Sequence, residues 1–396
     1  MATFNVDFLG CKVSHVDAHE VRERLLRDGH IERDGSADVA VISTCCVTSE
    51  AVAKSRKAAA RAARTHGRVY LTGCAANLGD AFAGLPANVT VVPKRSEETA
   101  AYVAGDVGAI ACVQADARVD RVRAFVKIQD GCSFSCNFCV IPLVRGGSRS
   151  RSARAVLREI ARRVEQGHRE VVLTGINLGC FKDRDAGYGL ARLVREAGAT
   201  PGLERLRLSS IEINHVDAEL IDALRETDTA AKHLHVPLQS GDDGVLEAMR
   251  RRYSVDTYLR RLERVSGDFN LTTDVIVGFP VEDDAAFANT LRTVERAGIT
   301  NVHVFPYSPR PGTVTQADDS VPPSVKKERG ARLRALSREL CVRRWRTKDE
   351  DVVLVDRPGR GYGDDYSPWL VDAPVGELVR VRAAAVTEEG ILAAAA

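Results

Sequence analysis

The sequence predicts an α/β protein with three parts: an N-terminal parallel-sheet α/β domain, a partial (β/α)6 barrel and a small C-terminal β-barrel. Three observations predict it. Residues 1–103 alternate short apolar runs with amphipathic stretches, residues 121–320 repeat a strand-then-helix rhythm six times, and residues 349–396 show short β-like runs separated by turn residues. A chain of 396 residues also exceeds the usual span of one domain. With 44% hydrophobic and 28% charged residues it has the composition of a soluble globular protein, and no apolar run is long enough to span a bilayer. The start carries no secretory apolar segment. Ten cysteines without export imply a reducing, cytoplasmic setting, where thiols serve metals or catalysis rather than disulfides. The net charge of +2 excludes no partner by itself, because the charge is unevenly distributed along the chain.

In the first domain, strands are expected at 4–8, 38–43, 68–72 and 89–92, with helices at 15–27 and 47–64. The first three strands each end in a cysteine, in Leu9-Gly10-Cys11, Ser43-Thr44-Cys45 and Thr72-Gly73-Cys74. Ligands of open α/β sheets bind beyond the carboxyl ends of the strands, and Gly10 and Gly73 permit close backbone approach. Cys11, Cys45 and Cys74 therefore read as three ligands of one iron–sulfur cluster. Singly, each would read as a small buried hydrophobe. Cys46 is the alternative to Cys45, since side chains alternate faces near a strand end. Cys112, Cys180 and Cys341 lack a partner pattern and read as structural.

Barrel strands are expected at 124–128, 170–174, 205–209, 233–236, 271–277 and 301–305, with arginine-rich amphipathic helices such as 153–166 between them. The loop after the first strand reads Gln129-Asp130-Gly131-Cys132-Ser133-Phe134-Ser135-Cys136-Asn137-Phe138-Cys139. Its C-x3-C-x2-C spacing lets Cys132, Cys136 and Cys139 each take one iron of a 4Fe-4S cubane, leaving the fourth iron open to chelate a small molecule. A zinc site wants four ligands grouped together, and a redox C-x-x-C leaves the extra cysteine unexplained. Loops after barrel strands carry active sites. Thr174, Asn177, Ser209, Ser210, Glu212, Gln239, Ser240 and Gly278 follow strands, and Phe138 sits in the cysteine loop. These are the candidate cofactor contacts, against the plainer reading of turn residues and packing.

Residues 321–348 form a basic helical connection. Lys326, Lys327, Arg332 and Arg334, with Arg145, Arg149 and Arg151 of the barrel region, are candidate phosphate contacts to RNA; a solvated helix packed on the barrel is the alternative. The last segment, 349–396, has β-like runs at 352–355, 378–383 and 390–393 and is acidic. Tyr362, Tyr366 and Trp369 either stack on bases or fill a small core.

The motifs Leu9-Gly10-Cys11-Lys12-Val13, Ser43-Thr44-Cys45-Cys46-Val47-Thr48, Thr72-Gly73-Cys74-Ala75 and Leu173-Thr174-Gly175-Ile176-Asn177-Leu178-Gly179, with the segment 129–151, carry a resemblance over nearly the whole chain. It resembles the radical SAM methylthiotransferase family, and most nearly the branch that modifies N6-threonylcarbamoyladenosine beside the tRNA anticodon. Ser14 and Ser43 stand where that family has asparagine, Leu143 where it has tyrosine, and Val281 where it has glycine. The resemblance implies two 4Fe-4S clusters, a radical SAM cluster on Cys132, Cys136 and Cys139 and an auxiliary one on Cys11, Cys45 and Cys74. It implies S-adenosyl-L-methionine (SAM) as the small molecule, two per turnover, one methylating the sulfur and one forming the radical. The product is a methylthio group on C2 of the adenine. Partners implied are the tRNA anticodon loop, an electron donor such as flavodoxin or ferredoxin, and a sulfur donor, without a membrane. The last segment is then a degenerate TRAM-like RNA-binding domain, and Arg145 is expected to pair with the threonylcarbamoyl carboxylate. Alternatives are the same chemistry on isopentenyladenosine in tRNA or on a ribosomal-protein aspartate, and a non-catalytic iron–sulfur or zinc RNA-binding scaffold.

Overall fold

The computed structural model describes residues 1–94, 96–110, 122–265 and 267–394; Cys112 lies outside the described residues. The chain divides into two compact units. One comprises Met1–Val119, Gly131–Gly147 and Ser308–Ala317; the other comprises Asp120–Asp130, Ser148–Tyr307 and Asp318–Ala396. The cysteine loop Gly131–Gly147 thus groups with the N-terminal unit, although in sequence it follows a barrel strand.

The first unit holds a parallel sheet in the order Ile31–Glu32, Thr3–Phe8, Val39–Thr44, Arg68–Gly73, Val89–Val91. The central strand Val39–Thr44 is buried at every position, as expected of a parallel strand covered on both faces. The edge strand Ile31–Glu32 has two residues, too short for a periodic signal. Helices Lys12–Arg27 and Ser49–Ala62 cover the sheet, the second opened by Thr48, whose hydroxyl accepts from the Ala51 N–H at 3.1 Å. Pairings Phe8↔Ser43, Ser43↔Thr72 and Thr44↔Gly73 bring three strand ends level. The cysteine-bearing turns therefore leave the sheet side by side.

In the second unit, six parallel strands run in chain order: Arg123–Lys127, Glu170–Thr174, Arg205–Leu208, His233–His235, Asn270–Val277 and Ile299–Pro306. The bridges Leu206↔Ala230 and Ser210↔His235 join the two halves into one partial barrel. Alternation sorts the side chains. Val171, Leu173, Leu206, Leu208, Leu234, Val236, Val275 and Val277 pack into the apolar core with helix residues such as Tyr258, Leu262 and Phe287. The intervening Glu170, Arg205, Arg207, His233, His235 and Asp274 occupy the opposite face. There Glu170 accepts from Arg205 at 3.2 Å and from Arg207 at 3.1 Å, with Glu170 and Arg207 each 1% exposed.

The helix Pro323–Trp345 packs on the strand Ile299–Pro306, with Ser337 accepting from the Val302 N–H at 2.9 Å. The chain ends in a closed five-strand barrel. Two of its strands, Arg360–Tyr362 and Pro368–Leu370, carry three residues each and fall between the expected runs. Three aspartates of this domain turn toward basic residues of the same unit. Asp356 pairs with Arg123 at 2.7 Å, Asp364 with Arg205 at 3.5 Å, and Asp365 with Arg344 at 3.1 Å and Lys348 at 2.9 Å. The expected base-stacking aromatics are used the same way. Trp369 is fully buried as the centre of the small core, and Tyr366 stacks on His233 at 5.0 Å beneath Arg207.

Candidate iron–sulfur and cofactor site

The cysteine loop is held at both ends of its own segment. Gly131 has φ +69°, and a Cβ there would stand 2.2 Å from the Gly147 carbonyl oxygen, so only glycine fits. The Cys132 N–H donates to the Gly146 oxygen at 3.0 Å, and the Cys139 N–H to the Cys136 oxygen at 3.1 Å. All three thiols are half-exposed, as is Phe138. The helix Ile141–Arg145 follows, with Pro142 in its first turn. Val140 and Val144 bury beside Cys46, Cys74, Ala40 and Ile42 in one apolar cluster.

At the level strand ends Cys11 is exposed, Cys45 half-buried, and Cys46 and Cys74 buried. Gly10 abuts this site; a Cβ there would lie 3.5 Å from Cβ of Cys45 and 2.6 Å from Oγ of Ser14. Gly73, at φ +83°, has no room for a Cβ against the Thr44 oxygen at 2.7 Å. The two serines that depart from the family pattern both face this site. Ser14 Oγ lies 3.7 Å from Cys11 Sγ, and the buried Ser43 Oγ has no hydrogen-bond partner.

The electrostatics separate the thiols. Cys46 donates to Cys74, which lowers the Cys74 pKa, and the Arg145 guanidinium adds to that against the desolvation of burial. The same hydrogen bond, with burial, pushes the Cys46 thiol far up. Burial also raises Cys45, and the charges of Cys74 and Cys11 add to it. Cys46 is thus the proton donor of its pair with Cys74. Among the described residues no group of three or more His, Cys, Asp or Glu side chains is arranged to hold a metal ion. The chemistry of the donors nevertheless suits iron–sulfur ligation: two all-sulfur sets, and a Cys74 sulfur that receives both an S–H and a guanidinium N–H, as an anionic sulfur requires.

The barrel's candidate cofactor contacts divide into two groups. Thr174 and Ser209 are buried, and each hydroxyl lacks a protein partner; buried polar atoms usually find a partner in protein, water or ligand. Asn177 is anchored by its N–H to Oε1 of Gln129 at 2.8 Å, and Gln129 also donates to Ser148 at 2.9 Å. Ser210 pairs across to His235, and Gln239 holds φ +67° with its N–H on the Asp274 oxygen at 2.8 Å. Glu212 and Ser240, by contrast, are engaged internally. Glu212 caps the turn at Asn214 and pairs with Arg251, and Ser240 meets Thr290 and the Asp242 N–H. Gly278 has φ +74° and packs on Lys326, whose Cγ would be 2.4 Å from a Cβ. Val281, which stands where the family has glycine, is 56% exposed.

The expected RNA contacts need two corrections. Arg145 is 7% exposed, donating from Nε to Cys74 Sγ at 3.0 Å and from Nη2 to Asp17 at 2.8 Å, so it is not open to a substrate carboxylate. Lys326 is 6% exposed, donating to the Tyr307 oxygen at 3.2 Å and pairing with Asp319. Arg151 is held by Glu159 and the Lys127 oxygen, and Arg149 is half-buried in a short strand pairing with Asp130. Lys327, Arg332 and Arg334 are exposed, as are Arg338, Arg343 and Arg346 further along the helix. Sequence reasoning missed the polar inner face of the barrel around His235, Asp274 and His303. The alternation His233, His235 and Thr272, Asp274 was its only signal.

A partial six-strand parallel barrel, with a C-x3-C-x2-C loop following its first strand in sequence, defines a radical SAM enzyme. Comparison with known proteins agrees. Residues 126–294 match the Radical SAM superfamily model, and residues 3–90 match that of Uncharacterized protein family UPF0004. The threonylcarbamoyladenosine tRNA methylthiotransferase MtaB of Thermotoga maritima is 32% identical, over 99% of this chain and 96% of its own length. The Bacillus subtilis protein of the same name is 34% identical over 96% of this chain and 94% of its own. A tRNA-2-methylthio-N(6)-dimethylallyladenosine synthase of Erythrobacter litoralis is 33% identical over the same shares, 96% and 94%. Among solved structures, the radical SAM methyltransferase TsrM of Kitasatospora setae shares the fold, with TM-score 0.58 and 13% identity over 79% of this chain and 77% of its own. The chain belongs to the radical SAM methylthiotransferases that act on tRNA, in the MtaB branch.

Proposed function

We propose that this enzyme adds a methylthio group to C2 of N6-threonylcarbamoyladenosine, on the 3′ side of the tRNA anticodon, using two SAM per turnover and two 4Fe-4S clusters. The observation that carries the reading is the pair of all-sulfur donor sets, one on a glycine-cradled loop and one on three level strand ends. Cys132, Cys136 and Cys139 would hold the radical SAM cluster, and Cys11, Cys45 and Cys74 the auxiliary one. When bound, the clusters and SAM supply the electron, the radical and the methyl group that an unactivated sp2 C–H demands. The chain supplies position. Gln129 fixes the start of the cysteine loop and the backbone of Asn177 together. Thr174 and Ser209 offer buried hydroxyls to the polar groups of SAM. An anticodon loop suits the reaction, because its bases can be splayed out and read on their edges.

MtaB names on relatives of 32% and 34% identity support the substrate. The dimethylallyladenosine synthase at 33% is the rival within the family. Nucleoside mass spectrometry of tRNA from cells with and without the gene decides between them. The 2-methylthio form of threonylcarbamoyladenosine should vanish without the gene and return with it. Loss of methylthio-isopentenyladenosine instead would overturn the substrate and leave the reaction class standing. Reconstituted protein that binds tRNA but releases no 5′-deoxyadenosine on reduction would return it to a non-catalytic scaffold.

A further inference from the structure

Arg145 is a buried cation with two of its donors directed at named partners. One end, Nε, donates to Cys74 Sγ at 3.0 Å; the other, Nη2, donates to Asp17 Oδ2 at 2.8 Å. Asp17 lies on the helix Lys12–Arg27, which begins directly after Cys11. Arg145 itself ends the helix Ile141–Arg145, two residues beyond Cys139 in sequence at its start, and the next residue, Gly146, accepts the Cys132 N–H at 3.0 Å. One side chain therefore touches the Cys74 turn, reaches the helix following Cys11, and is tied through its own backbone to the loop of Cys132, Cys136 and Cys139. A buried guanidinium is costly unless paired. Asp17 meets it with a carboxylate, and Cys74 with a sulfur.

We propose that Arg145 is a positioning residue for the auxiliary thiol site: it pins Cys74 and makes the electronic state of whatever iron Cys74 holds depend on the loop that carries the other three thiols. This rests on the reading of Cys74 as an auxiliary-cluster ligand. An N–H donated to a metal-bound thiolate draws charge from it and favours the reduced form of the centre. Lysine cannot reproduce the effect, because a single ammonium lacks the planar fork that spans Cys74 and Asp17 at once. Arg145 is 7% exposed, so the position is closed to solvent.

The test uses the full-length chain carrying Cys132→Ala, Cys136→Ala and Cys139→Ala, so that only auxiliary iron remains, reconstituted anaerobically with iron and sulfide. Iron per chain, the EPR spectrum of the reduced centre and its midpoint potential are read, with a thermal melt as the folding control. Cys74→Ala is made first; if iron and spectrum survive it, Cys74 is not a ligand and the functional reading of that residue fails separately. With that established, Arg145→Met is expected to keep the melt, alter the EPR g values and move the midpoint to a more negative potential, or to lose iron. Arg145→Lys, which preserves charge and volume should Met prove unstable, is expected to shift the spectrum in the same sense by a smaller amount. Spectra and potentials of Arg145→Lys identical to the parent, or of a folded, iron-loaded Arg145→Met identical to it, would overturn the proposal.

Discussion

Lys326 lies against Gly278, its ammonium donating to the Tyr307 carbonyl at 3.2 Å and its stem filling the space a Cβ would need. In sequence it is one of ten basic residues on a helix read as an RNA face. In the fold it belongs to the buried stripe Lys326, Arg329, Gly330, Leu333, Ser337, Leu340, which follows the i, i+3, i+4, i+7 spacing of a packed helix.

The RNA face is therefore expected on the other side of that helix. Glutamate at Lys327, Arg332 and Arg334 should weaken tRNA binding at low salt, and each lost phosphate contact should lower the salt slope by about one unit. Lys326→Glu should instead lower the melting temperature, because it places a second carboxylate beside Asp319 in a buried position. Filter binding across a salt series checks the first, and thermal unfolding the second. An unchanged slope in the triple variant means that this face is only solvated.

The Thr174 and Ser209 hydroxyls offer a test with two readouts of opposite sign. Each is buried without a protein partner. Thr174→Val and Ser209→Ala should leave the SAM-free protein as stable or slightly more stable, since an unserved polar group is removed. The same changes should weaken SAM binding several-fold, about 1 kcal/mol per lost hydrogen bond. Equilibrium dialysis with SAM and thermal melts without it measure the two. Unchanged SAM affinity would remove these residues from the cofactor site.

The two thiol sets should fail differently. Alanine at Cys132, Cys136 or Cys139 should abolish reductive release of 5′-deoxyadenosine. Alanine at Cys11, Cys45 or Cys74 should retain some release yet make no methylthio product. Cys46→Ala should still make product, because Cys46 donates its proton to Cys74 and is the most deeply buried of the four N-terminal thiols. Undiminished product from Cys74→Ala would end the assignment, and none from Cys46→Ala would exchange the roles of Cys45 and Cys46.

Glu170 carries a stability prediction. Burial raises its pKa, but the guanidiniums of Arg207, Arg205 and Arg123 outweigh burial and hold it below the ordinary glutamate value. The unfolded chain then binds the proton more readily, so the stability this group contributes is complete above about pH 4.3 and is lost as pH falls through the lower folded value. Glu170→Gln removes the buried carboxylate that Arg205 and Arg207 share and should cost about 3–5 kcal/mol at neutral pH. It should also flatten the acid limb of the melting temperature against pH. Unfolding in denaturant at several pH values measures both.

What the sequence by itself determined was the local and the periodic. Glu170–Thr174 was expected at the ends observed, and the other barrel strands within two residues, because apolar alternation next to glycine and polar turns is a short-range signal. The thiol loop was legible because its three candidate ligands, Cys132, Cys136 and Cys139, lie within a span of eight residues. The level strand ends under Cys11, Cys45 and Cys74 followed from the rule that parallel strands share a direction. Only the tertiary structure decided which charges were free. Arg145, Lys326, Glu212 and the aspartates of the last domain look alike in sequence to any solvated polar residue. Their partners Cys74, Tyr307, Arg251 and, for Asp364, Arg205 lie 71, 19, 39 and 159 residues away in sequence, and burial of a charge is set by such distant neighbours. A helix stripe in which Lys326, Arg329, Gly330 and Ser337 share the buried face with Leu333 and Leu340 gave a weak apolar period to read, since it is held by hydrogen bonds and ion pairs as well as by hydrophobic contact.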